Sequence, residues 1–312
     1  MSSRELDSAG IIDPALRRSY ERCRELNAQY GKTYYLATLL LPAAKRPFVH
    51  ALYGLARFAD EIVDEMSGGV SDAQRRDRLE QWAAQFFADL DRGSSSEAII
   101  TAVIDTAQRW HIPRAHFEAF FTSMAMDLSV AEYASYDELH TYVYGSAAVI
   151  GLQVVPILEP TNQAAYAYAI DLGIAFQLAN FIRDVNEDLD RGRVYLPLDE
   201  LAAFGVTRRD LEQRKATPPI KEALAFQIAR VRQLEERSKI GITMLHPATQ
   251  PCIDAARELY CGIVDEVERI DYEVFDKRAR VSLARRMQVA APAWIAARRA
   301  RREFGSGATA VL

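Results

Sequence analysis

Residues 172–197 read LGIAFQLANFIRDVNEDLDRGRVYLP, and this stretch carries the most informative pattern in the chain. Its first part contains no proline and predicts a helix. At about 100° per residue, four polar residues fall on one side of that helix, and we call them the late stripe: Gln177, Asn180, Asp184 and Asp188. The rest of the circumference is mostly apolar, which is typical of a buried helix. Because buried carboxylates without partners are costly, the late stripe predicts bound cations.

A second predicted helix, residues 47–66, carries a matching set of side chains that we call the early stripe: Tyr53, Arg57, Asp60 and Asp64. In both stripes two aspartates are spaced i, i+4, with hydrogen-bonding groups one and two turns before them. An ordinary solvated helix face is the alternative for either aspartate pair alone. The matching registers on two otherwise apolar helices favour a shared site over that alternative.

The chemistry of such a site follows from its charge. Two carboxylates about 6 Å apart repel by roughly 3 kcal/mol at an effective dielectric constant of about 20. They therefore either stay partly protonated or bind divalent cations. Carboxylate and amide oxygens favour Mg²⁺, which keeps some of its water and shares phosphate oxygens with a substrate. Together with arginines and aromatic residues, the pattern favours a diphosphate attached to a hydrocarbon.

The rest of the chain also has helical periodicity, with Ser71 and either Ser95 or Ser96 as expected N-caps. Helical patterns run over residues 16–28, 47–66, 71–91, from 95 or 96 to 110, from 113 or 114, 137–155, 161–189 and from 220 to the tail. No alternating strand pattern and no glycine-rich phosphate motif occurs, which argues against a Rossmann site or a P-loop. We therefore predict one all-α domain over residues 1–312, with a basic tail from about residue 277.

The overall composition narrows the class of protein. Hydrophobic residues make up 49% of the 312 residues and the net charge is −5, which predicts a globular protein that binds no nucleic acid. Three cysteines without metal-ligand spacing fit a reducing cytosol. The N-terminus lacks the apolar core of a signal peptide. The longest apolar run, residues 147–158, is too short to span a bilayer.

Two segments after the late stripe are rich in arginine. Gly192 predicts a turn that brings Arg191 and Arg193 back over the stripes, with a solvated helix end as the alternative for Arg191. Residues 277–302 contain nine Lys or Arg and no acid, interleaved with apolar residues. They fit either a solvated helix face or a helix that lies on an anionic membrane surface. We therefore expect a cytoplasmic protein, with peripheral membrane contact as the alternative.

Three stretches of the chain resemble the squalene/phytoene synthase family. Residues 56–64 (ARFADEIVD) look like its first aspartate motif, residues 142–151 (YVYGSAAVIG) are similar to its middle signature, and residues 172–197 resemble its second motif. With weaker likeness at both ends, the resemblance covers roughly residues 27–286. Within the family, residues 33–38 (TYYLAT) are most similar to the bacterial phytoene synthases.

The resemblance implies an all-α isoprenoid synthase fold with helices around a central cavity. It implies Mg²⁺-dependent head-to-head condensation of two geranylgeranyl diphosphates, through a cyclopropylcarbinyl diphosphate, to phytoene, with Mn²⁺ as an alternative metal. No NADPH is expected, since no dinucleotide motif occurs. Two alternatives keep the fold: a squalene- or dehydrosqualene-type synthase, and a cyclase that uses a single diphosphate. A non-catalytic prenyl-lipid binding protein is a third alternative, which the two acidic stripes argue against.

The resemblance also assigns roles to single residues. The Mg²⁺ ligands would be Asp60, Asp64, Asn180, Asp184 and Asp188, and the catalytic residues would be these four aspartates and Tyr195. The residues that bind substrate would be Tyr34, Tyr53, Arg57, Gln177, Arg183, Arg193, Tyr260 and Lys277. Arg278 is adjacent to Lys277, and either side chain fits the basic diphosphate ligand. An acidic residue, Asp127, would lie near the cavity, with a helix cap as the alternative.

Overall fold

The structure, a computed structural model, describes residues 3–64 and 70–307. Within these ranges the chain forms helices and no β-strand, and one parallel backbone bridge joins Glu132 to Val194. The all-α prediction is confirmed. In chain order the α-helices are α1 (Ser3–Ser8), α2 (Pro14–Tyr30), α3 (Lys32–Thr38), α4 (Arg46–Val63), α5 (Asp72–Arg92), α6 (Ala98–Arg109), α7 (Arg114–Met126), α8 (Tyr136–Val143), α9 (Val149–Val154), α10 (Ala165–Asp190), α11 (Leu198–Ala203), α12 (Arg208–Glu212), α13 (Pro218–Thr243), α14 (Gln250–Cys261), α15 (Ile263–Arg269) and α16 (Leu283–Phe304). A π-helical turn (Tyr144–Ala148) joins α8 to α9, and a 3₁₀ turn (Val155–Leu158) follows α9.

Local sequence signals explain where several helices begin. The Asp13 side chain accepts a hydrogen bond from the Leu16 amide at the start of α2, and Pro14 occupies its first turn. Ser71 caps α5 as predicted, and Gln74 completes a capping box there. These contacts satisfy amides that have no partner within the helix.

The predicted N-cap of α6 is wrong. Neither Ser95 nor Ser96 caps this helix, because the Glu97 carboxylate accepts a hydrogen bond of 2.7 Å from the Ile100 amide. The Ser95 hydroxyl instead accepts a hydrogen bond from the Glu97 amide just before the helix. Glu97 takes the role because its carboxylate reaches the same unpaired amides that a serine would satisfy.

Four other segments differ from the predicted pattern. No helix was predicted between residues 28 and 47 or between residues 189 and 220, but the first of these regions contains α3 and the second contains α11 and α12. The helix predicted over residues 47–66 is α4, which ends at Val63, and its predicted end lies outside the described residues. The stretch predicted as one helix over residues 137–155 is interrupted by the π-helical turn.

Two groups of buried side chains form the core, and α10 lies between them. One group comes mainly from α2, α4, α6 and α7 and includes Phe48 and Phe117. The other comes mainly from α10, α13 and α15 and includes Val231. Ile170 and Phe176, both on α10, pack against both groups. The late stripe is therefore carried into the middle of the fold on its central helix.

Two helical stretches are long and apolar enough to cross a membrane by length and composition. They are Tyr136–Leu158 and Ala165–Asp190, and 67% and 39% of their apolar windows are buried inside the fold. The first extends the run at residues 147–158, which alone is too short to span a bilayer. Both stretches contribute to the walls of the central cavity described below, as core helices do.

Replacing Gly145 with alanine is expected to destabilise the fold strongly. Gly145 lies in the π-helical turn, and a Cβ atom there would overlap the Ser123 hydroxyl and the Ala119 carbonyl oxygen of α7. Because backbone must move to make room, we expect the free energy of unfolding to fall by about 3 kcal/mol. Urea unfolding followed by circular dichroism measures this loss.

Gly205 offers a matched control for this substitution. A Cβ at Gly205 meets no atom within 4 Å, but φ is +71°, so G205A should cost only about 1 kcal/mol through backbone strain. Equal losses in G145A and G205A would contradict the close packing of the π-helical turn on α7.

Candidate active site

An apolar cavity lies in the middle of the fold. It encloses about 1210 Å³ of space between protein atoms, its mouth included, and α3, the π-helical turn, α9, α10, α13 and α14 contribute to its walls. The aromatic lining residues are Tyr34, Tyr168, Phe176 and Tyr260, and small or aliphatic side chains make up most of the rest. Asn180 also lines the cavity, so the cavity reaches the late stripe. Such a space accommodates a hydrocarbon chain and keeps water away from it.

The tyrosines predicted to bind substrate lie at this cavity or beside it. Phe176 and Tyr260 stack with ring centroids 4.8 Å apart, and Tyr34 packs against Tyr53 of the early stripe at 5.7 Å. Burial raises the pKa of Tyr53 to about 12, and it also raises the pKa of Tyr34 and of Tyr260. All three phenols therefore stay neutral at physiological pH. The lining rings offer faces that attract positive charge.

Asp184 of the late stripe accepts hydrogen bonds from two arginines. Arg183 donates from Nε at 2.7 Å and from Nη2 at 2.5 Å, and Arg278 donates from Nε at 3.0 Å and from Nη2 at 3.1 Å. Lys277 is exposed, and its side chain makes no polar contact with the part of the chain that the structure describes. Of the two neighbouring cations weighed from the sequence, the structure thus brings Arg278 to the late stripe.

The turn after α10 brings the two stripes together. Gly192 has a φ of +74°, a conformation that favours glycine, and it reverses the chain beyond the late stripe. Arg191 then donates to Asp64 of the early stripe at 3.1 Å, and Arg193 lies 3.9 Å from the same carboxylate. Both arginines also oppose the rise that burial and Asp184 cause in the pKa of Asp188. The two arginines therefore lie near the acidic ends of both stripes, and Arg191 is an exposed residue at the end of α10 that also contacts Asp64.

Two residues predicted to bind substrate, Arg57 and Gln177, make fewer contacts within the site than the arginines described above. Arg57 pairs with Glu61 at 3.2 Å, and its guanidinium lies 4.2 Å from the ring centre of Tyr30. Gln177 is half-buried and makes no side-chain hydrogen bond with the described residues. Neither side chain contacts the opposite stripe directly.

Asp127, at the C-terminal end of α7, is held by a network of tyrosines. Its carboxylate accepts hydrogen bonds from Tyr142 at 2.9 Å and from Tyr195 at 2.8 Å, while Arg193 donates to its backbone carbonyl at 2.8 Å. Burial raises the pKa of Asp127, although Arg193 and the tyrosine hydroxyls oppose that rise. The network fixes Arg193 in place. Tyr142 was missed as a site residue, although it is the first residue of the middle signature at residues 142–151.

Tyr195 itself is buried beside the late stripe. Its ring lies parallel to that of Phe181, with centroids 4.2 Å apart, and its hydroxyl is used in the hydrogen bond to Asp127. It lines a small recess with Asp188 and Arg193 instead of the large cavity. This placement fits a positioning role for Tyr195 better than the catalytic role that we predicted.

The acidic stripes carry unfavourable negative charge. Burial raises the pKa of Asp60 to about 7, with further contributions from Asp64 and Asp127. Burial also raises the pKa of Asp188 to about 8, with Asp184 as the next cause. The Asp60 side chain is exposed to solvent, yet protein atoms crowd around it, so water screens its charge only partly. Both carboxylates would be stabilised by a cation.

The donor chemistry of these residues fits Mg²⁺. The side chains are carboxylates and one amide, which are hard oxygen donors. Among the described residues, no three His, Cys, Asp or Glu side chains form a group that could hold a metal ion. A cation here would complete its coordination with water and substrate oxygens, which is the usual arrangement for Mg²⁺. The assignment of Asp60, Asp64, Asn180, Asp184 and Asp188 as Mg²⁺ ligands stays a prediction.

Raising the pH should destabilise the metal-free protein. The folded-state pKa values of Asp60 and Asp188, about 7 and about 8, exceed the ordinary value of about 3.9, so the folded state binds more protons than the unfolded state between these limits. Stability is then highest at acidic pH and is lost as the pH rises through the folded-state values. In EDTA, we expect Tm to fall by about 2 °C or more between about pH 6 and about pH 8.

Two additions test the cause of that fall. The double variant D60N/D188N should remove the difference in Tm, because it has no carboxylate to ionise at either position. Mg²⁺ should raise Tm of the original protein at about pH 8 more than at about pH 6, because protons compete with the metal. A Tm in EDTA that rises or stays constant over this range would contradict the raised pKa values.

Sequence comparisons place the chain among known enzymes. Residues 27–285 match the family described as squalene/phytoene synthase. The chain is 38% identical over 288 residues to phytoene synthase of Arthrospira platensis. This match covers 88% of this chain and 92% of that protein. It is 36% identical to chloroplastic phytoene synthase 2 of Solanum lycopersicum, which covers 87% of this chain and 88% of that protein. For chloroplastic phytoene synthase 1 of Arabidopsis thaliana, also at 36% identity, the match spans 65% of that protein's length.

Solved structures resemble the fold. A dehydrosqualene synthase in complex with ligand superposes with a TM-score of 0.81 at 24% identity, covering 89% of this chain and 96% of that one. A squalene synthase from Alicyclobacillus acidocaldarius superposes with a TM-score of 0.77 at 23% identity, covering 85% and 98%. The expected all-α isoprenoid synthase fold is confirmed by these likenesses.

Proposed function

Since the chain belongs to the squalene/phytoene synthase family, we propose that it is a phytoene synthase that condenses two geranylgeranyl diphosphates head to head. The observation that carries the proposal is the meeting of the two acidic stripes through Arg191 and Arg193 at one end of an apolar cavity. That arrangement separates a charged end, suited to a diphosphate, from an apolar end, suited to a prenyl chain.

The reaction needs two diphosphates to leave. In the first step the C1–O bond of one substrate breaks, and its C1 cation adds to the double bond of the second substrate with loss of a proton, giving a cyclopropylcarbinyl diphosphate. This intermediate loses its own diphosphate, rearranges and loses a second proton to give the C40 hydrocarbon. No electrons enter from outside, so no NADPH is needed.

The charged end would assist both departures. Asp60, Asp64, Asn180, Asp184 and Asp188 would hold Mg²⁺, with Mn²⁺ as an alternative, and the metal would supply positive charge that neutralises the leaving diphosphate. Arg183, Arg193 and Arg278 would add fixed guanidinium groups that bind phosphate oxygens. Asp127, Tyr142 and Tyr195 would act as positioning residues, because they fix Arg193 without facing the large cavity.

The apolar end would protect the cations. Tyr34, Phe176 and Tyr260 line the cavity, and aromatic faces stabilise positive charge without supplying a strong nucleophile. Aliphatic walls keep water from the cations, which would otherwise be trapped as alcohols. We further propose that residues 1–312 act as one domain, since α10 packs against both core groups.

Product analysis tests the proposal. Purified protein is incubated with Mg²⁺ and either farnesyl or geranylgeranyl diphosphate, with and without NADPH, and the hydrocarbons are identified by mass spectrometry. We expect a C40 product from the C20 substrate without NADPH. A C30 product from farnesyl diphosphate alone would indicate a squalene- or dehydrosqualene-type synthase, and a cyclic C20 product would overturn head-to-head condensation.

A further inference from the structure

We propose that the outer side of α16 docks the enzyme onto an anionic phospholipid bilayer. Five residues at i, i+4, i+11, i+15 and i+19 share this side of the helix, and we call them the α16 flank: Leu283, Met287, Trp294, Arg298 and Arg302. The inference rests on the proposed function for its purpose, because the proposed substrate and product are lipids.

Three of the five side chains on the α16 flank are large, apolar and mostly exposed. Leu283 is 74% exposed, Met287 is 59% exposed and Trp294 is 50% exposed. Ile295, on the adjoining side, is 64% exposed. Isolated exposed apolar residues are normal, but several along one helix side mark a surface that meets another apolar phase.

The other side of α16 is firmly packed, so this helix is part of the fold. Val289 and Ala297 are buried, and the helix packs against α14. Arg285 pairs with Glu258 at 2.6 Å near the start of the helix. Near its end Arg301, at the border of the α16 flank, donates to the Leu40 carbonyl at 2.7 Å. Helix α16 is therefore fixed to the fold on one side, while its apolar flank stays exposed and can bind another surface.

The positive charge of residues 277–302 indicates which kind of surface the α16 flank binds. Residues 277–302 contain nine Lys or Arg and no Asp or Glu, although the whole chain has a net charge of −5. Arg298, Arg299 and Arg302 are exposed, and the Arg298 guanidinium lies 4.5 Å from the Trp294 ring centre. Tryptophan and arginine side by side suit the boundary between acyl chains and charged headgroups. A bilayer with anionic lipids offers both the apolar phase and the negative surface potential.

The position of the α16 flank also fits the proposed chemistry. Arg278 binds Asp184 at the charged end of the site, and Leu283 follows only five residues later, so the two lie within about 18 Å along the chain. In addition, α14, on which α16 packs, contributes Cys252, Ala256 and Tyr260 to the cavity wall. Docking through this flank therefore brings the cavity close to the membrane that holds its lipids.

Vesicle sedimentation without substrate tests the proposal. The probe is a vesicle of phosphatidylcholine with about 30% phosphatidylglycerol, compared with pure phosphatidylcholine, at about 0.1 M salt. We expect the protein to bind the anionic vesicles and to bind pure phosphatidylcholine much more weakly. Each arginine near the surface contributes about fivefold in affinity, so R298Q/R299Q/R302Q should bind about 100-fold more weakly.

A matched variant removes the same charge elsewhere. R18Q/R209Q/K215Q changes three exposed cations outside α16 and should keep binding within about twofold of the original protein. Equal losses in both triple variants, no loss in R298Q/R299Q/R302Q, or no binding of the original protein to anionic vesicles would overturn the proposal.

Fluorescence locates the contact on the helix. Trp82 and Trp110 are partly buried, whereas Trp294 is exposed, so lipids with brominated acyl chains should quench the original protein and leave W294F unquenched. Equal quenching in both would overturn the assignment to this flank. Turnover of substrate dispersed in detergent is measured separately for all variants. It should be unchanged in R298Q/R299Q/R302Q, so a failure of docking is distinguished from a failure of the proposed function.

Discussion

Asp184→Ala is expected to lower turnover by about a thousandfold or more and to leave the fold intact. Asp184 is a predicted Mg²⁺ ligand, and it also holds Arg183 and Arg278 with four hydrogen bonds. Alanine would therefore remove one metal ligand and release two phosphate-binding cations. Each of these contributions to charge neutralisation in the transition state is typically worth a factor of ten or more. Steady-state release of diphosphate measures the effect.

Two further variants separate the metal from the arginines. D184N keeps the size of the side chain and one oxygen that accepts from an arginine, but it lacks the charge that binds the metal, so it should be nearly as inactive. D190N changes an exposed aspartate at the end of the same helix, which pairs with Arg214, and should retain most activity. Substantial activity in D184A, with a circular dichroism spectrum like that of the original protein, would refute the metal site.

Arg193→Gln is expected to lower turnover by about a hundredfold. Arg193 is only 13% exposed, and it lies between the Asp127 carbonyl, the Tyr195 hydroxyl and the Asp64 carboxylate. This position holds a fixed positive charge between the two stripes, where a diphosphate would accumulate charge as it leaves. Glutamine retains hydrogen-bond donors but no charge. The loss should appear mainly in kcat, because the charge matters most in the transition state.

The neighbouring arginine serves as the comparison. Arg191 is 48% exposed and its contact with Asp64 is shared with solvent, so R191Q should lose about tenfold. R193K, which retains the charge, should recover part of the activity that R193Q loses. The proposed role for Arg193 fails if R193Q and R191Q lose activity equally, or if R193K is no better than R193Q.

Much of the site was predictable because helical periodicity is a local property. The i, i+4 spacing of Asp60 with Asp64, and of Asp184 with Asp188, places each pair on one side of its helix wherever that helix lies. The apolar surroundings predicted that both helices would be core helices. Helix α4 is well buried, and α10 packs against both core groups and lines the cavity. The glycine at residue 192 likewise predicted the turn, because its φ is one that other residues rarely adopt.

The remaining features depend on contacts between distant parts of the chain. The choice between Lys277 and Arg278 is made by a loop, where no periodicity fixes the direction of adjacent side chains. The contact of Arg191 with Asp64 joins residues 127 positions apart. The bonds from Tyr142 and Tyr195 to Asp127 arise only once α7, α8 and the chain after α10 are packed together. Glu97 replaced the expected serine cap of α6 because several side chains there could reach the same free amides.

In the proposed site, both stripes act on one diphosphate through bound Mg²⁺. Its most direct test is calorimetric binding of geranylgeranyl thiodiphosphate, an unreactive substrate analogue, to the original protein, D64N and D184N, each with Mg²⁺ and with EDTA. We expect tight binding only for the original protein with Mg²⁺, and a loss of about 100-fold or more with EDTA or in either variant. Equal affinity in EDTA, or a loss confined to one of the two variants, would contradict a shared metal–diphosphate site.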